Sequence, residues 1–434
     1  MPSRPPSVDA LARSLASSGL PHPLLVDAAR EAIAAGRSDQ AGEVVAGLAR
    51  ALLQPVVNAT GVLLHTNLGR APVAHAQPAG FTNLELDLAT GSRGSRHAHV
   101  GRLLARLCGA ETAIVVNNNA AAVLLVLAAL AHGRQVVVSR GEAVEIGGGF
   151  RVPEVMEQSG ALLVDVGTTN RTRLDDYRGA LARPGADVAL LLKVHPSNYR
   201  VEGFASGVET GELASLGVPV VADIGSGLVD AACPWLVGGP PAWLEDEPAA
   251  RQTLAAGAAL VMFSGDKLFG GPQAGVIAGR ADLVAACAAH PLARALRPGG
   301  LVLAALQDTA LAYLRRDGGA IPFWRMAALT VEVLGRRARG VVDAVGVARA
   351  GALGLVAETM DALPGAGSLP GVTVASSGVS LRGDHAAALR AGTPAIIARV
   401  RDDRTYLDLR TVDAGDDALL AVRLAALASD VAAG

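Results

Sequence analysis

The chain has 434 residues, of which 51% are hydrophobic and 3% aromatic, and its 40 acidic residues nearly balance 38 lysines and arginines. The formal net charge of -2 provides no overall attraction for nucleic acid, so an RNA partner requires a local arginine patch. The three cysteines, Cys108, Cys233 and Cys287, are scattered, which argues against both a disulfide framework and a zinc site, and we predict no metal.

The first 55 residues are expected to form a separate helical domain. Apolar residues recur at helical spacing in residues 7–18 and 23–35, and Gly36 interrupts the pattern. Basic and acidic residues are balanced in this segment, so its charge alone does not predict RNA binding.

The chain is expected to be cytoplasmic and not to bind membranes. Its first residues lack the apolar core of a signal peptide. The longest apolar run, Ala120–Ala131, is too short to span a bilayer.

A large α/β domain is predicted for residues 56–298. Its Val-, Ile- and Leu-rich runs alternate with helix-length segments, which indicates a mainly parallel, doubly wound sheet with functional residues at the carboxyl ends of the strands. The predicted strands are 113–116, 135–139, 161–166, 188–194, 218–223, 260–263 and 275–278. After Gly300 the pattern changes to long helices, predicted at 301–315 and 323–339, within a smaller α/β domain covering residues 299–434.

Only two lysines, Lys193 and Lys267, occur among 38 basic residues. An amine can lose its proton and form an imine with a carbonyl, whereas a guanidinium stays protonated. Lys267 lies in Phe263–Gly275, where an apolar strand runs into a glycine-rich turn, as is typical of a lysine that binds pyridoxal phosphate. The alternative is that compositional bias spared two lysines by chance.

Further residues at predicted strand ends fit a pyridoxal phosphate site. Asp223 ends a strand and suits the partner of the pyridine nitrogen, although a turn or helix-capping role stays open. Asn117, Asn118 and Asn119 precede a helix and suit a phosphate cradle, with N-capping as the alternative, and Ser264 adds a hydroxyl.

The run from Lys193 to Tyr199 ends another predicted strand. Asn198 is a candidate donor to the cofactor's phenolic oxygen, and His195 a candidate to face its ring. A structural role is an equal alternative for each, and Lys193 is expected to line the strand end.

Two arginine pairs form a second candidate group. Arg93 and Arg96 lie in a glycine- and serine-rich loop, and Arg294 and Arg297 are spaced to share one helical face. Paired guanidiniums suit phosphate-like oxyanions. A solvated helix face is the alternative.

Taken together, these strings resemble the bacterial selenocysteine synthase family, the L-seryl-tRNA(Sec) selenium transferases. The resemblance extends over most of residues 56–300. Its runs are Asn58–Arg70, Glu111–Leu125, Val138–Gly149, Val166–Thr172, Lys193–Asn198 and Phe263–Gly275.

The resemblance implies pyridoxal phosphate fold type I, the aminotransferase-like fold, assembled as a homodecamer that is a pentamer of dimers, with an N-terminal domain that contacts tRNA. The implied reaction converts L-seryl-tRNA(Sec) to L-selenocysteinyl-tRNA(Sec) by eliminating water to an aminoacrylyl-tRNA and adding selenium from selenophosphate.

The resemblance also implies roles for individual residues. Lys267 corresponds to the Schiff-base lysine, and Asp266 to its functional neighbour. Arg294 and Arg297 correspond to oxyanion-binding arginines, joined by Arg93 or Arg96 from a neighbouring subunit.

A lyase or transferase acting on a small free amino acid is the alternative function. Type I enzymes commonly bind a free α-carboxylate through an arginine of the C-terminal domain, and Arg410 is the candidate. Contact between Arg410 and the cofactor would favour a free amino acid as the substrate, whereas burial of Arg410 in a salt bridge with an acid would favour the tRNA ester.

The segment between Arg70 and Glu85 departs from the family, because it is short and its prolines disfavour a helix.

Overall fold

The computed structural model describes residues 7–77, 79–146, 150–197, 199, 201, 203–365 and 369–433. The helices are α1 Val8–Ser14, α2 His22–Ala34, α3 Ala41–Ala51, α4 Ala98–Cys108, α5 Asn119–Ala131, α6 Val152–Gln158, α7 Leu174–Leu181, α8 Thr210–Ala214, α9 Ala250–Ala255, α10 Ala281–Ala289, α11 Pro291–Ala295, α12 Gly300–Leu314, α13 Pro322–Ala327, α14 Val331–Val345, α15 Val347–Leu353, α16 Ala386–Arg390 and α17 Asp417–Ala433. The strands are β1 Val56–Asn58, β2 Val62–Leu64, β3 Thr112–Val116, β4 Gln135–Ser139, β5 Glu145–Ile146, β6 Phe150–Arg151, β7 Leu162–Val166, β8 Val188–Val194, β9 Val220–Gly225, β10 Leu260–Ser264, β11 Gly275–Gly279, β12 Val356–Gly365, β13 Val374–Arg382, β14 Ala395–Ile397, β15 Arg399–Arg401 and β16 Arg404–Asp408.

The larger sheet has the order β3-β11-β10-β9-β8-β4-β7. Its strands are parallel except β11, which runs antiparallel to both β3 and β10. All the strands predicted for the large domain belong to this sheet, so the prediction of a mainly parallel sheet is confirmed. The residues that follow β3, β4, β8, β9 and β10 consequently meet at one edge.

Both faces of this sheet are buried, which explains the near-continuous apolar strands. Along β10, Val261 and Phe263 pack into one apolar cluster, whereas Leu260 and Met262 pack into another on the opposite face. Successive side chains of a strand point to opposite faces, so a strand covered on both sides needs apolar residues at every position.

The chain divides into two compact units. Residues up to Val57 together with His385–Ile397 form the first, and Asn58–Asp384 with Ala398 to the C terminus form the second. In the first unit, α1, α2 and α3 bury a small core of Ala12, Leu25, Ala28, Ala29 and Val45. In the second, a further sheet has the order β15-β16-β13-β12-β2. The domain boundary predicted at residue 298 falls inside the second unit.

The prediction of one helix over residues 323–339 is wrong, whereas α12 matches its prediction within one residue. Helix α13 ends at Ala327, and α14 begins at Val331. Thr330 is extended and accepts a hydrogen bond from the Val333 N–H at 3.3 Å, so it caps a new helix instead of continuing the old one. Described residues of the 71–84 segment contain no helix, in keeping with its prolines.

Within the described ranges, no helix has both the length and the apolar character required to cross a bilayer. The same ranges contain no grouping of three or more His, Cys, Asp or Glu side chains that is suited to a metal ion. All three cysteines are buried, and burial raises the pKa of each thiol to about 12.

Gly275 allows β11 to lie against the start of α5. It pairs with Ser264 on one side and with Val116 on the other. A Cβ atom at this position would lie 2.1 Å from the main-chain oxygen of Asn118, which is too close for any side chain. The glycine therefore sets the distance between the sheet edge and the helix N terminus.

We expect Gly275→Ala to lower the free energy of unfolding by about 1–3 kcal/mol, because the added methyl group must push β11 away from Asn118. Gly340→Ala is the matched control: Gly340 is exposed in α14 and has nothing within 4 Å of its added Cβ. That variant should gain up to about 1 kcal/mol from helix propensity. Thermal unfolding monitored by circular dichroism compares the two, and equal midpoints would contradict the packing argument.

Candidate active site

Lys267 lies just beyond β10 and is only 8% exposed. Its Nζ donates a hydrogen bond to Ser197 Oγ at 3.3 Å. Burial lowers the pKa of the Lys267 amine from its usual value, and the negative charge of Asp223 opposes this effect. The amine therefore loses its proton at a lower pH than an exposed lysine, as a nucleophile requires.

Asp223 is 3% exposed in β9. Its Oδ1 accepts hydrogen bonds from Asn119 Nδ2 at 2.8 Å and from the Gly225 N–H at 3.0 Å. Burial raises the pKa of this carboxyl, while the Asn119 hydrogen bond and the Lys267 charge lower it. Two donors thus favour a carboxylate that burial alone would disfavour.

Asn117, Asn118 and Asn119 lie at the start of α5 as predicted, but each makes a different contact. Asn118 caps the helix, with its Oδ1 accepting from the Ala121 N–H at 2.8 Å. Asn119 supports Asp223, and the Asn117 N–H donates to the Leu296 carbonyl at 2.8 Å. The N terminus of α5 therefore lies beside the buried carboxyl of Asp223, which the Asn119 amide contacts. A phosphate-binding role for the three asparagines stays a prediction.

Two other predicted positions, His195 and Ser264, lie at the ends of β8 and β10. The His195 N–H donates to the Asp223 carbonyl at 2.9 Å, and its ring Nε2 lies 3.5 Å from Glu247 Oε2. Ser264 ends β10 opposite Gly275. Asn198 lies outside the described residues, and the roles assigned to all three positions stay predictions.

Asp266 is buried beside Lys267 and forms an ion pair with Arg70, with Nη1 and Oδ2 2.7 Å apart. The Ala71 N–H also donates to the Asp266 carbonyl at 3.1 Å. Arg70 adopts the left-handed backbone conformation, with φ 61°. Asp266 thus ties the loop that follows β2 to the turn that carries Lys267.

Lys193 differs from Lys267 in having a carboxylate of its own. Its Nζ lies 3.2 Å from Glu142 Oε1 and donates to the Val208 carbonyl at 2.8 Å. The other Glu142 oxygen accepts from the Val194 N–H at 2.9 Å. Burial raises the pKa of Glu142, and the Lys193 charge opposes this. Lys193 therefore balances a buried acid at the end of β8.

The four predicted arginines border one cavity of about 200 Å³. We call Arg93, Arg96, Arg294 and Arg297 the arginine cluster. Glu85 accepts from three of them: its Oε2 from Arg93 at 3.0 Å, and its Oε1 from Arg96 Nη2 at 2.6 Å and from Arg297 at 3.4 Å. The structure brings these arginines together within a single chain.

The predicted helical face for Arg294 and Arg297 is wrong, although the two residues do lie at one cavity. Helix α11 ends at Ala295, so Arg297 lies beyond it. Pro298 follows Arg297 and disfavours helical conformation at the preceding residue. Arg96 Nη1 donates to the Pro298 carbonyl at 2.9 Å, which connects the loop to this turn.

Arg410 is 2% exposed, and its guanidinium is occupied by main-chain carbonyls. It donates to Met326 at 2.9 Å, to Ala327 at 3.3 Å and to Ala375. Burial lowers the pKa of Arg410, and the charge of Asp408 opposes this. Because Nη1 and Nη2 bind the main chain and only Nε is left without a partner among the described residues, Arg410 gives no support to the free amino acid alternative.

Several buried polar atoms near Asp223 have no hydrogen-bond partner among the described residues. They are Asn119 Oδ1, Ser226 Oγ and Glu247 Oε1. An unpaired buried polar atom is costly, so this arrangement suits a polar bound group. With a carboxylate for a ring nitrogen and an amine for an aldehyde, the residues fit pyridoxal phosphate.

Sequence reasoning missed three contributors: Arg70, Ser197 and Glu85. Each is a common residue type with no local pattern that points to its partner. The bonds to Asp266, Lys267 and Arg96 span 196, 70 and 11 residues. Arg70 and Ser197 do lie within the runs that carry the family resemblance, which was the available signal.

Residues 56–413 match the family described as SelA: L-seryl-tRNA selenium transferase. A protein named L-seryl-tRNA(Sec) selenium transferase from Moorella thermoacetica is 48% identical, over 86% of this chain and 81% of its own. Another of that name, from Solidesulfovibrio magneticus, is 43% identical over 97% of each chain.

One solved structure supports the fold. The chain titled "Structure of D-Glucosaminate-6-phosphate Ammonia-lyase" matches with a TM-score of 0.58 and 23% identity, covering 88% of this chain and 97% of that one. The predicted fold class, α/β of pyridoxal phosphate fold type I, is confirmed.

We expect Lys193→Met to destabilise the protein without removing the reactive amine. The substitution leaves the Glu142 carboxylate buried without its cation, which should lower the free energy of unfolding by about 1–3 kcal/mol. Thermal unfolding measures this loss, and adding Glu142→Gln should restore part of it. Loss of the cofactor's visible absorption in folded Lys193→Met protein would contradict a purely structural role.

Proposed function

We propose that this chain, which belongs to the L-seryl-tRNA selenium transferase family, converts L-seryl-tRNA(Sec) to L-selenocysteinyl-tRNA(Sec) with pyridoxal phosphate as its cofactor. The observation that carries the proposal is the buried amine of Lys267 beside the buried carboxyl of Asp223, within the segment that matches the family. Acid and amine meet at the edge where parallel strands end, which is where α/β enzymes place their chemistry.

Pyridoxal phosphate supplies an aldehyde that an amine attacks and an electron-poor ring that withdraws electron density from a bonded amino acid. Lys267 is the residue that would hold it covalently, and Asp223 would hold its ring nitrogen. The N terminus of α5, capped by Asn118, provides a positive dipole end for the phosphate. Ser264 and Asn198 are proposed as further donors, and His195 as the residue facing the ring.

Lys267 also moves the proton in this proposal. Burial lowers its pKa, so a larger fraction of the amine is unprotonated near neutral pH than in an exposed lysine. An unprotonated amine can remove the proton from the seryl α-carbon. Asp266, paired with Arg70, fixes the turn on which that amine is mounted.

Asp223 would place its carboxylate against the ring nitrogen, where the cofactor would carry a positive charge. The hydrogen bonds from Asn119 and Gly225 favour its ionised form and fix its orientation. A cation placed against the carboxylate would favour that form further. The acid would therefore keep the ring nitrogen protonated, the state in which the ring withdraws electrons from a bonded amino acid.

The arginine cluster is proposed to hold selenophosphate and then the departing phosphate. Four guanidiniums border one small cavity, and arginines bind oxyanions through paired N–H donors. We further propose a homodecamer. The resemblance implies that a loop arginine, Arg93 or Arg96, comes from a neighbouring subunit, but both border this chain's own cavity, so the cluster is proposed to act within one chain.

The tRNA is proposed to contact the helices α1, α2 and α3, and the reaction is proposed to occur in the cytoplasm, where charged tRNA is used.

A seryl ester has no free α-carboxylate, so no arginine clamp is required. The commitment of Arg410 to main-chain carbonyls agrees with this requirement.

The purified protein with pyridoxal phosphate and selenophosphate should convert seryl-tRNA(Sec), measured as selenium-75 incorporation into tRNA. Lys267→Ala should lower the rate by at least about a hundredfold, because both the nucleophile and the base are lost. Circular dichroism checks that this variant is folded. Turnover of free serine but not of the charged tRNA would support the amino acid lyase instead, and an active Lys267→Ala protein would refute the role of that lysine.

Asp223→Asn should retain much of the local hydrogen bonding but lose the charge. We expect turnover to fall by about a hundredfold or more, because a neutral amide does not stabilise a protonated ring nitrogen. Single-turnover rates with the charged tRNA test this, and spectrophotometric titration shows whether the cofactor still binds. A variant with wild-type turnover and bound cofactor would exclude this role for Asp223.

A further inference from the structure

Glu85 is the acid at the centre of the arginine cluster, and none of the roles above uses it. Its side chain is 29% exposed and accepts from Arg93 and Arg297. Arg96 approaches the same carboxylate with both Nε, at 3.0 Å, and Nη2, at 2.6 Å. A single carboxylate therefore occupies N–H groups that an entering oxyanion would need.

The charge balance of the cavity depends on Glu85. Hydrogen bonds from Arg96 and Arg93 lower the pKa of its carboxyl, so it is ionised at neutral pH. His97, which also borders the cavity, has its pKa lowered, mainly by burial, so its neutral form is favoured. Four guanidiniums and one carboxylate thus leave a surplus of three positive charges.

Resting on the proposed oxyanion role of the cluster, we propose that Glu85 is a built-in counter-anion that competes with the entering oxyanion for Arg96 and Arg297. It thereby sets both the affinity and the selectivity of the cavity. A ligand binds only if its hydrogen bonds and charge interactions with these guanidiniums are stronger than those of the Glu85 carboxylate.

This competition favours a particular class of ligand. A dianion with three terminal oxygens, such as selenophosphate or phosphate, can bind several guanidiniums at once, whereas chloride offers one charge and no fixed geometry. Arg294 is exposed at the rim and, among the described contacts, is not engaged by Glu85, so it provides donors that do not need to be released. The same competition shortens the stay of the phosphate that the reaction produces.

Glu85→Gln removes the charge but keeps an oxygen that accepts from Arg96, so the guanidiniums keep their positions. We expect the holoenzyme to bind inorganic phosphate about five- to tenfold more tightly, the effect of removing one unit charge beside a largely solvated anion. Isothermal titration calorimetry at fixed ionic strength measures this, and chloride should compete more strongly against phosphate than it does in the wild type.

Asp187→Asn is the matched control, because Asp187 also accepts hydrogen bonds from an arginine, Arg134, that lower its pKa, but lies outside the cavity. It changes the net charge equally and should leave phosphate affinity unchanged. Glu85→Ala provides a second test should the glutamine variant fail to fold, and it should also bind phosphate more tightly.

Arg297→Met separates the two proposals. Loss of phosphate binding in Arg297→Met, with unchanged or weaker binding in both folded Glu85 variants, would overturn the counter-anion role and leave the oxyanion site standing. Wild-type affinity in Arg297→Met would instead remove the proposed oxyanion role of the cluster itself. Equal tightening in Asp187→Asn would show a general charge effect and would also overturn the inference.

Discussion

The burial of two ionisable groups, the Asp223 carboxyl and the Lys267 amine, determines what the rest of the sheet edge has to provide. Burial favours the neutral form of each group. Hydrogen bonds from Asn119 and from the Gly225 N–H favour the ionised form of Asp223. Asn119 reaches Asp223 because α5 starts beside β11. That approach in turn depends on Gly275, where a side chain would collide with Asn118. The hydrogen bonding of the Asp223 carboxyl is thus linked to the packing of a strand against a helix terminus.

The two lysines lie in different environments, which agrees with the reactive role proposed for Lys267 alone. Lys193 and Lys267 both lie at strand ends on the same sheet edge, so position alone does not distinguish them. Glu142 Oε1 lies 3.2 Å from Lys193 Nζ, whereas Lys267 Nζ contacts the uncharged hydroxyl of Ser197. A neighbouring carboxylate stabilises an ammonium, whereas a hydroxyl carries no charge. Desolvation is therefore the largest influence on the pKa of Lys267.

The sequence predicted the features that depend on local patterns of residue type. The strands of the large sheet were predictable because buried parallel strands are continuously apolar. The position of Lys267 and Asp223 at one sheet edge was predictable because strand ends meet there, and their roles stay predictions. Arg70, Ser197 and Glu85 were not predictable as partners, because their contacts arise from the way the chain folds back on itself. The break between α13 and α14 was missed because apolar periodicity continues across Thr330, whose side chain decides the outcome by capping.

The same distinction between buried and exposed charge explains why arginine suits the oxyanion role proposed for this cavity better than lysine does. A reactive amine has to lose its proton, which burial promotes, whereas a cation that binds and releases anions has to keep its charge at every stage. Arginine meets the second requirement, because its guanidinium is not deprotonated in proteins and presents several N–H donors in one plane. Such a surplus of fixed charge would bind anions indiscriminately unless part of it were balanced. Glu85, partly exposed and bonded to three guanidiniums, balances it while leaving the carboxylate free to be displaced.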